Sequence, residues 1–125
     1  LKQSQDIDTI LLACTHYPLL RDVIVIVLTT IGADPDALVL AKTLVDERLA
    51  ACVNVLPPMQ SVYQWKGKVE QEREQQLVMK TRADKVAALQ VRLKELHPYE
   101  LPEFIVLSGA ASAAYAAWAA DSTRD

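Results

Sequence analysis

Val23-Ile24-Val25-Ile26-Val27-Leu28 is followed by Gly32 and then by Asp34-Pro35-Asp36, and this junction decides how the rest of the chain is read. An apolar, largely β-branched run without polar alternation predicts a central strand buried on both faces. Asp34 suits a helix N-cap, Pro35 the first helical turn and Asp36 the positive end of the helix dipole, so a helix is predicted to begin here. Leu38, Ala41, Leu44, Val45 and Leu49 fall at helical spacing and predict the face that covers the sheet, with Lys42, Asp46 and Glu47 turned to water.

Downstream, Ala51 to Val55 reads as a strand, Pro57-Pro58 must bend it, and Ser61 to Trp65 resumes it before a Lys66-Gly67 turn. The expectation is a hairpin with a kinked first arm. The returning arm, Lys68 to Thr81, changes from Glu70-Gln71-Glu72-Arg73-Glu74 to Leu77-Val78-Met79. Glu and Gln favour helices over strands, so the local pattern leaves both open for its first half. Thr81 and Asp84, at capping-box spacing ahead of Val86, Leu89, Leu93 and Leu96, predict a second helix that stops before Pro98. Phe104 to Leu107 predicts another buried strand. The alanine-rich stretch from Ala110 to Ala120 predicts a terminal helix docked by Tyr115 and Trp118.

The resulting order, βαββαβα, fits an α+β fold: a ferredoxin-like βαββαβ with an antiparallel sheet and a C-terminal helix. Helices on one side leave the other sheet face and the polar hairpin uncovered, which predicts association with further chains.

With 125 residues the chain has room for one well-buried core. Its 16 acidic and 13 basic residues give a net charge of -3, and no dense Lys/Arg stretch offers a phosphate-binding face, so nucleic acid is not an expected partner. The runs Val23 to Leu28 and Phe104 to Leu107 fall far short of the roughly 20 apolar residues that cross a bilayer, so no membrane association is expected. Lys2, Asp6 and Asp8 do not read as a signal peptide, and Cys14 and Cys52 are expected as free thiols in a reducing cytoplasm. No GxSxG, phosphate loop or HExxH occurs, so the chain is not expected to be an enzyme.

Four segments carry a resemblance: Arg48-Leu-Ala-Ala-Cys52-Val-Asn54, Tyr63-Gln-Trp65-Lys-Gly-Lys68, Lys80-Thr81 and His97-Pro-Tyr-Glu-Leu-Pro-Glu103. In order and spacing they closely resemble the divalent-cation tolerance proteins of the CutA family, from Val23 to about Ala120. The resemblance implies a homotrimer of ferredoxin-like subunits joined by sheet pairing, and a non-enzymatic role in copper binding and metal-ion tolerance.

Residues 1–22 carry a different resemblance. Ile7-Asp-Thr-Ile-Leu-Leu-Ala-Cys14-Thr-His16-Tyr-Pro-Leu-Leu-Arg-Asp22 resembles the strand and loop around the second catalytic cysteine of glutamate racemases, with Ala13 where that family has glycine. Those enzymes need a second cysteine from their other half, and Cys52 lies in surroundings that match CutA instead. The segment therefore reads as an N-terminal extension to a CutA-like domain at 23–125. A fragment of an amino-acid racemase that works with a separate half is the remote alternative.

Cys52, His97, Glu100 and Glu103 are the candidate metal ligands. Thiolate and imidazole together suit copper or zinc, and the carboxylates can complete a site for a borderline ion. The resemblance associates the positions of Cys52 and His97 with copper. A cysteine between Ala51 and Val53 equally suits a small buried hydrophobe, and His97 before Pro98 equally suits a helix cap. A second candidate is an intersubunit cleft lined by Tyr63, Trp65, Lys80, Tyr99 and Glu103, where aromatics beside a base and an acid can hold a small anion or metabolite. Such a cleft makes a trimeric small-molecule sensor or scaffold the alternative function. Glu70, Glu72 and Glu74, alternating along the returning arm, are expected to pair with nearby Lys66, Lys68 and Arg73 or to face solvent.

Overall fold

The computed structural model describes residues 22–33 and 36–125. They form β1 (Asp22–Gly32), α1 (Asp36–Asp46), β2 (Cys52–Val55), β3 (Met59–Trp65), β4 (Lys68–Thr81), a 3-10 turn (Ala83–Lys85), α2 (Val86–Leu96), β5 (Ile105–Ala111) and α3 (Ala113–Ser122). The N-cap expected at Asp34 and Pro35, and the racemase-like residues 1–21, lie outside the described residues.

β4 settles as a single strand along its whole length, and it organises the sheet. Its second half pairs with β1 on one side and β2 on the other, in the order β2-β4-β1-β5, while β3 runs along its first half. Leu77 faces Val55 and Glu74 faces Met59, so Leu56 to Pro58 form the kink between the two pieces of the first arm. All the pairings are antiparallel. Lys66 and Gly67 close the hairpin with φ of 52° and 79°, the left-handed pair that matches the twist of the flanking strands.

The core lies between one sheet face and the helices. Val25, Val27 and Ile31 of β1 and Leu77 and Met79 of β4 meet Leu40 and Leu44 of α1 and Leu89 and Leu93 of α2. β1 therefore alternates more than its sequence predicts. Its other face, Ile24, Ile26 and Leu28, is half-buried, because neither α1 nor α2 covers that side.

Helix orientation also departs from expectation. α1 buries Ala37, Leu40, Ala41 and Leu44, whereas Leu38 and Val45 are exposed, so the covering face is rotated by about one residue. After α1, Arg48 turns left-handed at φ 61°, and the Leu49 amide reaches back to the Leu44 carbonyl at 3.0 Å, which stops the helix. The capping box before α2 does not form. The Thr81 hydroxyl donates to the Leu49 carbonyl at 2.8 Å, and the helix is entered through the 3-10 turn with Lys85 as N-cap and no side-chain cap. α2 does stop where Pro98 requires, with His97 extended at φ -81°, ψ 133°.

β5 is an edge strand, and Ile105, Val106 and Leu107 are exposed rather than buried. α3 begins with Ser112 capping the Tyr115 amide at 3.2 Å. It docks through Ala119, while Tyr115 and Trp118 stay exposed and rest on each other at 5.3 Å between ring centres.

Candidate functional site

Strand alternation and register place the candidate residues on the sheet face opposite α1 and α2. Lys80 pairs with both Ile26 and Cys52, so Cys52, Asn54 and Lys80 share that face with Ile26 and Leu28. Tyr63 pairs with Glu70 and Ser61 with Glu72, which continues the same face along the hairpin. The open face has two polar centres, one near the C-terminal end of β4 and one near its middle.

The first surrounds Cys52. The thiol is free and half-buried, and its sulfur lies 3.9 Å from the Asn54 side-chain oxygen, a weak donor contact. The same oxygen accepts a hydrogen bond from the Lys80 ammonium. Tyr115 of α3 stands close enough that burial, and then the charge of Cys52, push its phenol pKa up.

The second is built by the segment after α2, which folds back over the sheet. His97 is buried, with Nδ1 accepting the Tyr99 amide at 3.1 Å and Nε2 2.7 Å from the Thr30 carbonyl. Because Nδ1 must accept, Nε2 carries the proton and donates it to Thr30, so the ring is held as one neutral tautomer. Burial holds its pKa below the ordinary histidine value, against weaker opposing effects of the Thr30 carbonyl and Glu74. The Tyr99 hydroxyl donates to Glu74 Oε2 at 2.6 Å, and its ring meets the His97 edge at 4.6 Å. Burial, then this carboxylate, drives the Tyr99 pKa far upward. Gln76 donates to the Thr29 carbonyl and to Glu103, each at 2.9 Å. Tyr63 stands nearby, its pKa raised by desolvation and then by the charges of Glu72, Glu74 and Glu70.

Glu74 corrects the expectation of a solvated glutamate row. It is 4% exposed and bonded to Tyr99, whereas Glu70 and Glu72 remain in the hairpin's outer part. Glu74, Gln76 and Asn54 were not singled out by sequence as parts of a site. Alternation puts Glu74 and Gln76 on the right face, but only the fold brings Tyr99 and Glu103 onto them.

Not all the predicted residues converge within one chain. His97 is tied to Thr30, four residues along β1 from Ile26, the residue level with Cys52, which places the two about 13 Å apart along the strands. Lys80 is ten residues along β4 from Glu70, the partner of Tyr63, a separation of about 33 Å. Tyr63, Tyr99 and Glu103 cluster around Glu74 and Gln76. Glu100 is exposed and pairs with Lys66 at 3.5 Å, and Lys66 also lies 5.5 Å from the Trp65 ring centre. Among the described residues, no three His, Cys, Asp or Glu side chains stand together as a metal-holding group. No described helix is long and apolar enough to cross a membrane.

Comparison with known proteins agrees with this architecture. A divalent-cation tolerance protein CutA from Thermus thermophilus is 44% identical over 82 residues, covering 66% of this chain and 80% of that one. The solved CutA structure from Synechococcus elongatus superposes with a TM-score of 0.78 at 39% identity, covering 85% of this chain and 95% of the other. CutA1 from Oryza sativa gives 0.78 at 34% identity, covering 87% and 99%. The family model described as CutA1 divalent ion tolerance protein matches residues 25–122. The chain belongs to that family.

Proposed function

We propose that this chain is a cytoplasmic, homotrimeric divalent-cation tolerance protein that binds copper, with Cys52 as its principal metal donor. The observation that carries the reading is the family match over residues 25–122, joined to a free, half-buried thiol on the open sheet face. Thiolate is a soft ligand, and copper heads the affinity order of the first-row divalent ions, so Cys52 favours copper over harder cations. The described residues of one chain supply too few close donors for a closed site. The remaining ligands come from a neighbouring subunit, on which His97, Glu100 and Glu103 are the candidate donors. His97 has its lone pair occupied by the Tyr99 amide, so its ligation requires that bond to break. The exposed apolar residues of edge strand β5 and the half-buried Ile24, Ile26 and Leu28 of the open face support association of several copies.

Copper titration against a competing chelator, under reducing conditions, tests this reading. Stoichiometric binding lost in Cys52→Ala is the expected outcome, and undiminished binding in that variant sinks it. His97→Ala then separates a ligand from a residue that only holds Tyr99. A second reading rests on the buried Glu74 carboxylate beside Tyr63 and Tyr99: a small-molecule sensor whose cleft lies between subunits. A ligand response that survives Cys52→Ala and is abolished by Glu74→Gln favours it.

A further inference from the structure

Where α3 crosses the end of the sheet it leaves a groove of about 490 Å³, within the range of small-molecule sites. Val23 and Ile24 form one wall and Ala113, Ala117 and Ala120 of α3 another, with Arg82 at its border. Val23 is 53% exposed here. Arg82 is the one charged side chain among the described lining residues, and no acid is among them.

Its guanidinium is incompletely engaged. One terminal nitrogen donates to the Thr123 carbonyl at 3.2 Å. Nε lies 3.3 Å from Asp84, in a geometry that makes no hydrogen bond, and is buried with no other acceptor among the described residues. The Asp84 side chain is itself mostly in water. About a third of the Arg82 side chain stays exposed, and a permanent cation beside an apolar trough whose described lining holds no carboxylate is complementary to an anion that carries a hydrocarbon tail.

We infer that this groove binds a small amphipathic carboxylate, its head group on Arg82 and its chain along Val23, Ile24 and the alanines of α3. The site is separate from the metal reading. It involves neither Cys52 nor the residues around Glu74. A neutral or cationic occupant gains no charge pairing with the exposed part of Arg82, and a wholly polar anion leaves the apolar walls wet.

Amide chemical-shift titration of the full chain with octanoate, and separately with octanol, tests the inference. Saturable shifts at Val23, Arg82 and Ala117 are expected, with octanoate at least tenfold tighter than octanol. Arg82→Gln removes the charge and is expected to weaken octanoate about tenfold or more. Ala117→Leu narrows the trough with Arg82 intact, and must also weaken it should Arg82→Gln fail to fold. Shifts that do not saturate, equal affinity for octanol, or undiminished binding in the folded variants overturn the inference. So does concerted displacement of residues 1–21 by octanoate, which assigns the groove to the chain's own N-terminal segment.

Discussion

Replacing Tyr99 by Phe keeps the ring and removes one oxygen, and that oxygen is the donor to Glu74 at 2.6 Å. Glu74 is 4% exposed, so water does not readily take the place of the lost hydroxyl. A hydrogen bond to a charged, buried acceptor contributes about 1.5–3 kcal/mol, and the ring contact with His97 remains in the variant. With a denaturation slope of about 2 kcal/mol per molar urea, the unfolding midpoint falls by about 1 M. Midpoints must be compared at one protein concentration, because association adds to apparent stability. The second arm of the cycle is Glu74→Met, which removes the acceptor. In that background Tyr99→Phe is expected to cost less than about 0.5 kcal/mol, as the two changes share one interaction. A cost below about 0.5 kcal/mol in the parent protein, or the same cost in both backgrounds, refutes the claim that this bond fastens the segment after α2 to the sheet.

Other consequences follow from the same structure. The His97 pKa is held below its ordinary value of 6.5, so as pH falls the unfolded chain takes up the proton first. The contribution of neutral His97 is therefore complete above 6.5 and is lost as pH drops through the folded-state value, and His97→Asn should flatten the fall in urea midpoint over that window. Leu44→Ala, at a fully buried position, should cost about 2–5 kcal/mol, whereas Val39→Ala on the exposed side of α1 should change stability by less than about 0.5 kcal/mol; comparable costs would contradict the observed helix orientation.

The sheet was legible because its signals are local. The unbroken apolar run of β1, Pro57-Pro58 and Lys66-Gly67 each restrict the backbone within a few residues, and together they lay out the first strand and the kinked hairpin. The first half of β4 was ambiguous, since Glu70 to Glu74 favours a helix by propensity. Pairing with β3 overrides that preference. Helix faces were less legible in α1, where Leu38 and Val39 stand beside Leu40 and Ala41 and spacing alone admits more than one apolar face. Thr81 resembles a cap residue, yet its hydroxyl goes to Leu49, a partner 32 positions away that no local pattern announces.

The candidate site divides in the same way. His97, Tyr99 and Glu103 could be picked out from one short segment, whereas their partners are distant in sequence: Thr30, Glu74 and Gln76 lie on two different strands. A buried glutamate looks like a solvated one until the residue that covers it is known. The separation of Cys52 from His97 is likewise a matter of register, set by which residue of β4 meets Cys52.

Native mass spectrometry of the full chain, with and without one equivalent of copper per subunit, tests the central claim most directly. The account predicts a three-chain species that retains copper, and the same assembly without copper in Cys52→Ala. A single-chain mass at working concentration, or a trimer that retains copper equally well without the Cys52 thiol, would contradict it.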